Sequence, residues 1–183
     1  MRTRQTVAVL LIALGMLAAG CGGDDGDNGG NAAEKGPKAA GTGYELTLAD
    51  GWMDSTKNVQ GSVIRFDLLI GKKGGTFNTN VNILREKVGE DIGNDDLRKV
   101  YRGQLESVGA TSISGTRPAS LDGDDAFTYE YDQKAASGET IHGRQVAVVH
   151  DGHAHTITLS AQDTKFDSAN AEFSQMMGSW RWK

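Results

Sequence analysis

The histidines are the residues best placed for chemistry, because three of them flank one short turn. All four histidines lie between positions 142 and 155, and segment 150–155 reads HDGHAH. Asp-Gly is a typical two-residue connection of a β-hairpin, so His150 is predicted to pair with His153, and Val148 with His155. Side-chain alternation would then place His150, His153 and His155 on one face. Three imidazoles on one face could hold zinc or copper.

The same face also supports a structural interpretation. It continues along both strands into Val146, Val148, Ile157 and Leu159, which is the pattern of a side that packs against a core. On this interpretation His155 closes the edge of the core, and the other two histidines are solvated at the hairpin tip. Both interpretations stay open, and the first makes a metal-binding accessory protein the alternative function.

Motifs of common enzyme classes do not occur in the sequence. It contains no Gly-x-Ser-x-Gly, His-Glu-x-x-His, Gly-x-x-x-x-Gly-Lys or Cys-x-x-Cys pattern. We therefore predict no catalytic residues and a protein that is not an enzyme, and we keep an envelope enzyme as a further alternative.

Cys21, the only cysteine, follows a segment with the pattern of a secretory signal peptide. Arg2 and Arg4 precede an apolar run over 7–17, and small residues follow up to Gly20. The apolar run is shorter than the ~20 residues of a membrane-spanning helix. A cysteine directly after small residues resembles the lipobox of bacterial lipoproteins, although Ala18 stands where leucine is most common. The resemblance implies a signal peptide over 1–20 and acyl chains such as palmitate on Cys21.

Residues 21–43 are predicted to form a tether between this anchor and a folded domain. After Cys21 the segment is rich in Gly, Asp and Asn and has no large apolar side chain, so it cannot bury enough surface to order itself. The predicted location is the extracytoplasmic face of the cell membrane, held there by lipid. The net charge of −5 argues against a nucleic-acid partner.

Residues 44–183 alternate between strand and helix patterns in the order of an α+β domain. A helix is predicted from the N-cap candidate Asn94 to Gly109, and a second over 164–179. The predicted strands are 44–48, 63–70, 78–84, 111–119, 125–132, 139–150 and 153–161.

The order of these pieces resembles PsbP-like domains. The segment 44–52, YELTLADGW, is similar to their opening strand and Gly-Trp turn, with Ala49 in place of a proline, and Asn80-Val81 matches their third strand. The closing pattern Phe173-x-x-Met176-x-x-Ser179-Trp180 also matches. The resemblance covers 44–183 and extends to LpqN-type actinobacterial lipoproteins.

That resemblance implies a central antiparallel sheet packed between helices, and binding in place of catalysis. PsbP-like relatives bridge subunits at photosystem II or bind a small GTPase in nuclear import. We therefore predict a non-catalytic, membrane-tethered binding module for a protein or small ligand. Trp180, Arg181 and Trp182 form a candidate interface, because Trp and Arg are enriched at binding hot spots. The alternative interpretation places Trp180 on the core face of the second helix, with Trp182 covering it.

Overall fold

The computed structural model describes residues 36–59, 65–72 and 79–183. Cys21, the predicted signal peptide, most of the predicted tether and the start of the strand predicted at 63 lie outside these ranges. In chain order the described elements are β1 Lys38–Gly41, β2 Tyr44–Thr47, β3 Trp52–Asp54, a 3-10 turn at Thr56–Val59, β4 Leu68–Lys72, β5 Thr79–Lys87, α1 Asn94–Ser107, β6 Arg117–Leu121, β7 Asp124–Lys134, β8 Thr140–His150, β9 His153–Gln162, α2 Asp163–Gly178 and β10 Arg181–Trp182.

These strands form two antiparallel sheets. The large sheet has seven strands in the order β3-β4-β5-β9-β8-β7-β6, and the small sheet has three in the order β1-β2-β10. Helix α1 packs on one face of the large sheet, and α2 packs on the other together with the small sheet. The predicted α+β class, with a central antiparallel sheet between helices, is confirmed.

The predicted hairpin register is also confirmed. His150 lies opposite His153, and Val148 lies opposite His155. The Asp-Gly turn between β8 and β9 has positive φ angles at both residues, 48° at Asp151 and 68° at Gly152, which is what a type I′ turn requires.

Three local predictions are wrong. Strand β1 pairs with β2 inside the segment predicted as tether, so the folded part begins before Tyr44. The strand predicted from 111 begins only at Arg117, because Ser112 takes a left-handed conformation (φ 51°) that interrupts an extended chain. Asn94 is the first helical residue and not the N-cap. Its amide instead accepts a bond from the Val149 N–H (2.8 Å) and donates to the carbonyl of Asp125.

Both helices bury the apolar stripes that the sequence predicts. In α1 the buried residues Leu97, Tyr101 and Leu105 pack against Phe127 and its neighbours on β7. In α2 the buried residues are Phe166, Ala169, Phe173, Met176 and Met177. The two apolar cores therefore lie on opposite faces of the same sheet.

Two glycines test how tightly this sheet is packed. A Cβ at Gly143 would lie 2.5 Å from the ring of Tyr131, which is its buried partner on β7, whereas a Cβ at Gly103 in α1 meets no described atom within 4 Å. We expect Gly143→Ala to lower the free energy of unfolding by about 1–3 kcal/mol through overpacking. The matched Gly103→Ala should raise it by about 0.5–1 kcal/mol, because alanine loses less backbone entropy in a helix. Urea unfolding measures both, and equal effects would contradict the packing described here.

Candidate functional site

Five aromatic side chains from three distant segments meet where the small sheet packs on the large one. We call Tyr44, His150, His155, Trp180 and Trp182 the aromatic cluster. Tyr44 stacks on Trp180 with ring centroids 4.0 Å apart, and His150 stacks on Trp182 at 3.9 Å with an interplanar angle of 2°. The ring of His155 contacts Trp182 edge-on at 5.0 Å. The cluster therefore joins β2, the β8–β9 hairpin and the C-terminal tail.

The backbone of the tail positions the two tryptophans. After α2 ends, Ser179 accepts a bond at Oγ from the Thr47 N–H (2.9 Å), which aligns the tail with β2. Strand β10 then pairs Trp182 with Tyr44. The Trp182 N–H donates to the Asp122 carboxylate (2.8 Å), in the turn between β6 and β7. The tail is thus held from both sheets.

The interior of the cluster is electrically neutral. His155 is 2% exposed, and burial, with a smaller contribution from Arg85, lowers its pKa to about 4. Burial and the carboxylate of Asp67 raise the pKa of Tyr44 above its ordinary value. Among the described residues, His155 Nδ1 and the indole nitrogens of Trp180 and Trp182 have no hydrogen-bond partner. Charging any group here would therefore be costly.

The three hairpin histidines do not form a metal centre in this structure. His155 is turned into the core, and the Nδ1 of His150 bonds to Asp124 Oδ2 (2.6 Å). The Nδ1 of His153 bonds to the carbonyl of Asp151 (2.7 Å). No three His, Cys, Asp or Glu side chains within the described ranges are arranged to hold a metal ion. The zinc or copper site at His150, His153 and His155 therefore stays a prediction: the shared face exists, but Trp182 and the core pack against it in this structure.

The predicted interface at the tail divides into a core residue and two surface residues. Trp180 is 0% exposed, so it is part of the core and cannot anchor a partner. The side chain of Arg181 is 60% exposed and lies 3.6 Å from the Asp122 carboxylate. Trp182 is partly buried and packs against the edge of the core. The exposed surface at the edge of the cluster, which we call the rim, is therefore formed by Arg181 and Trp182. His150 lies beneath the indole ring of Trp182.

Tyr44 is the member of this cluster that the sequence did not predict. Its position at the start of β2 carries no local signal for a contact with a tail more than 130 residues later. The sequence did contain both the histidine set and the tryptophan set, but it offered no evidence that they belong to one site.

Each helix described in the structure is too short or too polar to cross a lipid bilayer.

The chain belongs to the family described as the serine/threonine kinase C-terminal domain, which matches residues 38–182. Cyanobacterial PsbP (CyanoP) from Synechocystis sp. PCC 6803 has a similar structure, with a TM-score of 0.56 and 17% identity over 86% of this chain and 98% of that one. LpqN of Mycobacterium tuberculosis, described as involved in cell envelope biogenesis, superposes with a TM-score of 0.58 and 16% identity over 80% and 84%. A search of curated proteins finds no match. The predicted PsbP-like fold and its likeness to LpqN are confirmed.

The buried, neutral His155 predicts a specific pH dependence of stability. Its folded pKa of about 4 lies below the ordinary value of 6.5, so unfolding takes up a proton between these values. The free energy of unfolding should therefore fall as pH decreases from about 6.5 to 4. The stabilising contribution of a neutral His155 should be fully present above about pH 6.5.

The measurement compares urea unfolding at pH 7 and pH 5 for three proteins. His155→Leu should show a smaller loss of stability on acidification than the wild type, because leucine takes up no proton. His153→Gln is the matched control, since His153 lies outside the cluster, and it should keep the wild-type difference. Equal pH dependence in all three proteins would contradict the neutral, buried His155.

Proposed function

We propose that this protein is a non-catalytic lipoprotein of the cell envelope, whose domain binds a protein partner through the exposed rim of the aromatic cluster. Its position on the extracytoplasmic face of the cell membrane is proposed from the leader pattern and Cys21. The likeness to LpqN, which is described as involved in cell envelope biogenesis, supports an envelope role. Membership of a family of kinase C-terminal domains supports an accessory role for the module.

The observation that carries the proposal is the composition and rigidity of the rim. Arg181 is exposed beside Trp182, whose ring lies flat on His150. Tryptophan and arginine are enriched among residues that dominate binding energy. A side chain that is already fixed loses little entropy when a partner binds. Here the β10–β2 pairing and the Asp122 contact fix Trp182 in advance.

The proposed anchor fits the position of β1 relative to Cys21. Two or more acyl chains hold a protein stably at a bilayer, whereas one chain binds only marginally. β1 begins at Lys38, so a short segment separates it from the modified cysteine. A partner of the rim would therefore be another protein at or near the membrane surface.

The anchor is tested by replacing Cys21. Wild-type protein from native cells should fractionate with membranes and give an N-terminal peptide carrying diacylglycerol at Cys21. Cys21→Ser should move the protein to the soluble extracytoplasmic fraction, because the acyl chains are lost. A free thiol in the natural product, or unchanged membrane association of the variant, would contradict the lipid anchor.

The binding surface is tested separately by site-specific photocrosslinking in intact cells. A photoreactive residue at Arg181 should give a discrete adduct with one protein. The matched control is Lys99, an exposed residue of α1 on the opposite face of the sheet, where that adduct should be absent. The adduct formed from position 181 should weaken in the His150→Ala background, which removes the support of the Trp182 ring. The same adducts from both positions would contradict a specific surface at the rim.

A further inference from the structure

A polar cluster lies on the large sheet beside α2, away from the aromatic cluster. Its centre is Arg144, six positions before His150 on β8, which corresponds to about 20 Å along the strand. Arg144 follows the alternation of Val146 and Val148, so its side chain starts on the same face as the core beneath α2. Its guanidinium lies over the ring of Phe173, with Cζ 5.4 Å from the centroid.

Two of the three guanidinium nitrogens of Arg144 donate hydrogen bonds to neutral oxygens. Arg144 Nη1 donates to Asn170 Oδ1 (2.7 Å) and Ser174 Oγ (2.9 Å), both on α2. Arg144 Nε donates to Thr128 Oγ1 (3.2 Å) on β7. The two hydroxyls donate their own hydrogens elsewhere, Ser174 to the Asn170 carbonyl and Thr128 to the Gln145 carbonyl. They therefore face Arg144 as acceptors, and its orientation is fixed.

The third nitrogen, Nη2, is left without a hydrogen bond to any residue in the described part of the chain, and no carboxylate there forms an ion pair with Arg144. Glu130 is opposite Arg144 in the sheet, but its carboxylate is bonded to Arg117 at 2.5 Å. Burial lowers the pKa of Arg144, against a rise caused by Glu130 and with a further decrease caused by Arg117. The group formed by the two arginines and Glu130 carries one net positive charge in an otherwise acidic protein.

We propose that Arg144 Nη2, with Arg117 beside it, binds the carboxylate or phosphate group of a small acidic ligand. A guanidinium presents donors in a planar fork that suits these oxyanions, and charge-assisted hydrogen bonds are among the strongest in proteins. The neutral oxygens fix the fork without neutralising it, so the charge stays available to a ligand. A role limited to attaching α2 to the sheet uses only Nε and Nη1, whereas the proposed role uses Nη2.

The test follows the side-chain resonances of Arg144 by NMR while sodium acetate or sodium phosphate is added to the full domain at constant ionic strength. Saturable shifts at Arg144 with acetate alone identify a carboxylate ligand, and shifts with phosphate alone identify a phosphate ligand. Arg144→Gln should weaken binding of the effective anion by at least about tenfold, because a charged donor is lost. The matched control is Arg98→Gln. Arg98 also lies over a core ring, 5.1 Å from the Phe127 centroid, but it is paired with Asp95, so its loss should leave anion binding unchanged.

Glu130→Gln provides an independent test that leaves the bonds from Arg144 to α2 in place. Removing this carboxylate takes away a like charge beside the proposed ligand, so the same anion should bind several-fold more tightly. This result does not depend on whether Arg144→Gln remains folded. Absence of saturable shifts at Arg144 with either anion, or equal affinity in the wild type and Glu130→Gln, would overturn the proposal.

Discussion

The packing of the C-terminal tail against β2 is the interaction on which the small sheet and the aromatic cluster depend. The small sheet consists of strands of four, four and two residues, which are too short to be stable alone in water. Tyr44 and Trp180 stack on each other and are fully buried. The small sheet is held on the large sheet because both rings contact His155 edge-on and Trp182 stacks on His150. Since β1 pairs only with β2 within the described ranges, it too depends on this contact.

This arrangement determines the chemistry of the histidine hairpin. Trp182 stacks on His150 and contacts His155, so an indole ring packs on the face that the three histidines share. Burial keeps His155 neutral, and the cost of charging it links the stability of the cluster to pH. The same contacts leave Arg181 at the surface, beside a ring that is already fixed. A structural core and a candidate binding rim are therefore two sides of one cluster.

Helix α2 connects this cluster to the proposed anion site. The helix ends immediately before Ser179 and Trp180, and its middle turns provide Asn170 and Ser174 to Arg144. Both sites thus use the contact of α2 with the large sheet. The PsbP-like fold supplies this geometry, while the residues at the rim and around Arg144 supply the chemistry that we propose for this chain.

Local sequence signals were enough for much of the fold. The Asp-Gly turn correctly predicted which residues of β8 and β9 lie opposite each other, because a two-residue turn leaves little freedom in the register. The apolar spacing correctly predicted both long helices. Strand β1 was missed because its residues, Lys38 to Gly41, carry no apolar alternation. They are ordered by tertiary contacts, namely the pairing with β2 and the burial of Ala39 in the core.

The amino-acid sequence by itself determined the hairpin, the two helices and the shared face of the three histidines, since each depends on residues close together in the chain. Tertiary structure decided what that face does. It placed Trp182 over His150 and turned His155 into a core with Tyr44. It also left Nη2 of Arg144 without a hydrogen-bond partner among the described residues. These contacts join segments far apart in sequence, so no local pattern of residues could predict them.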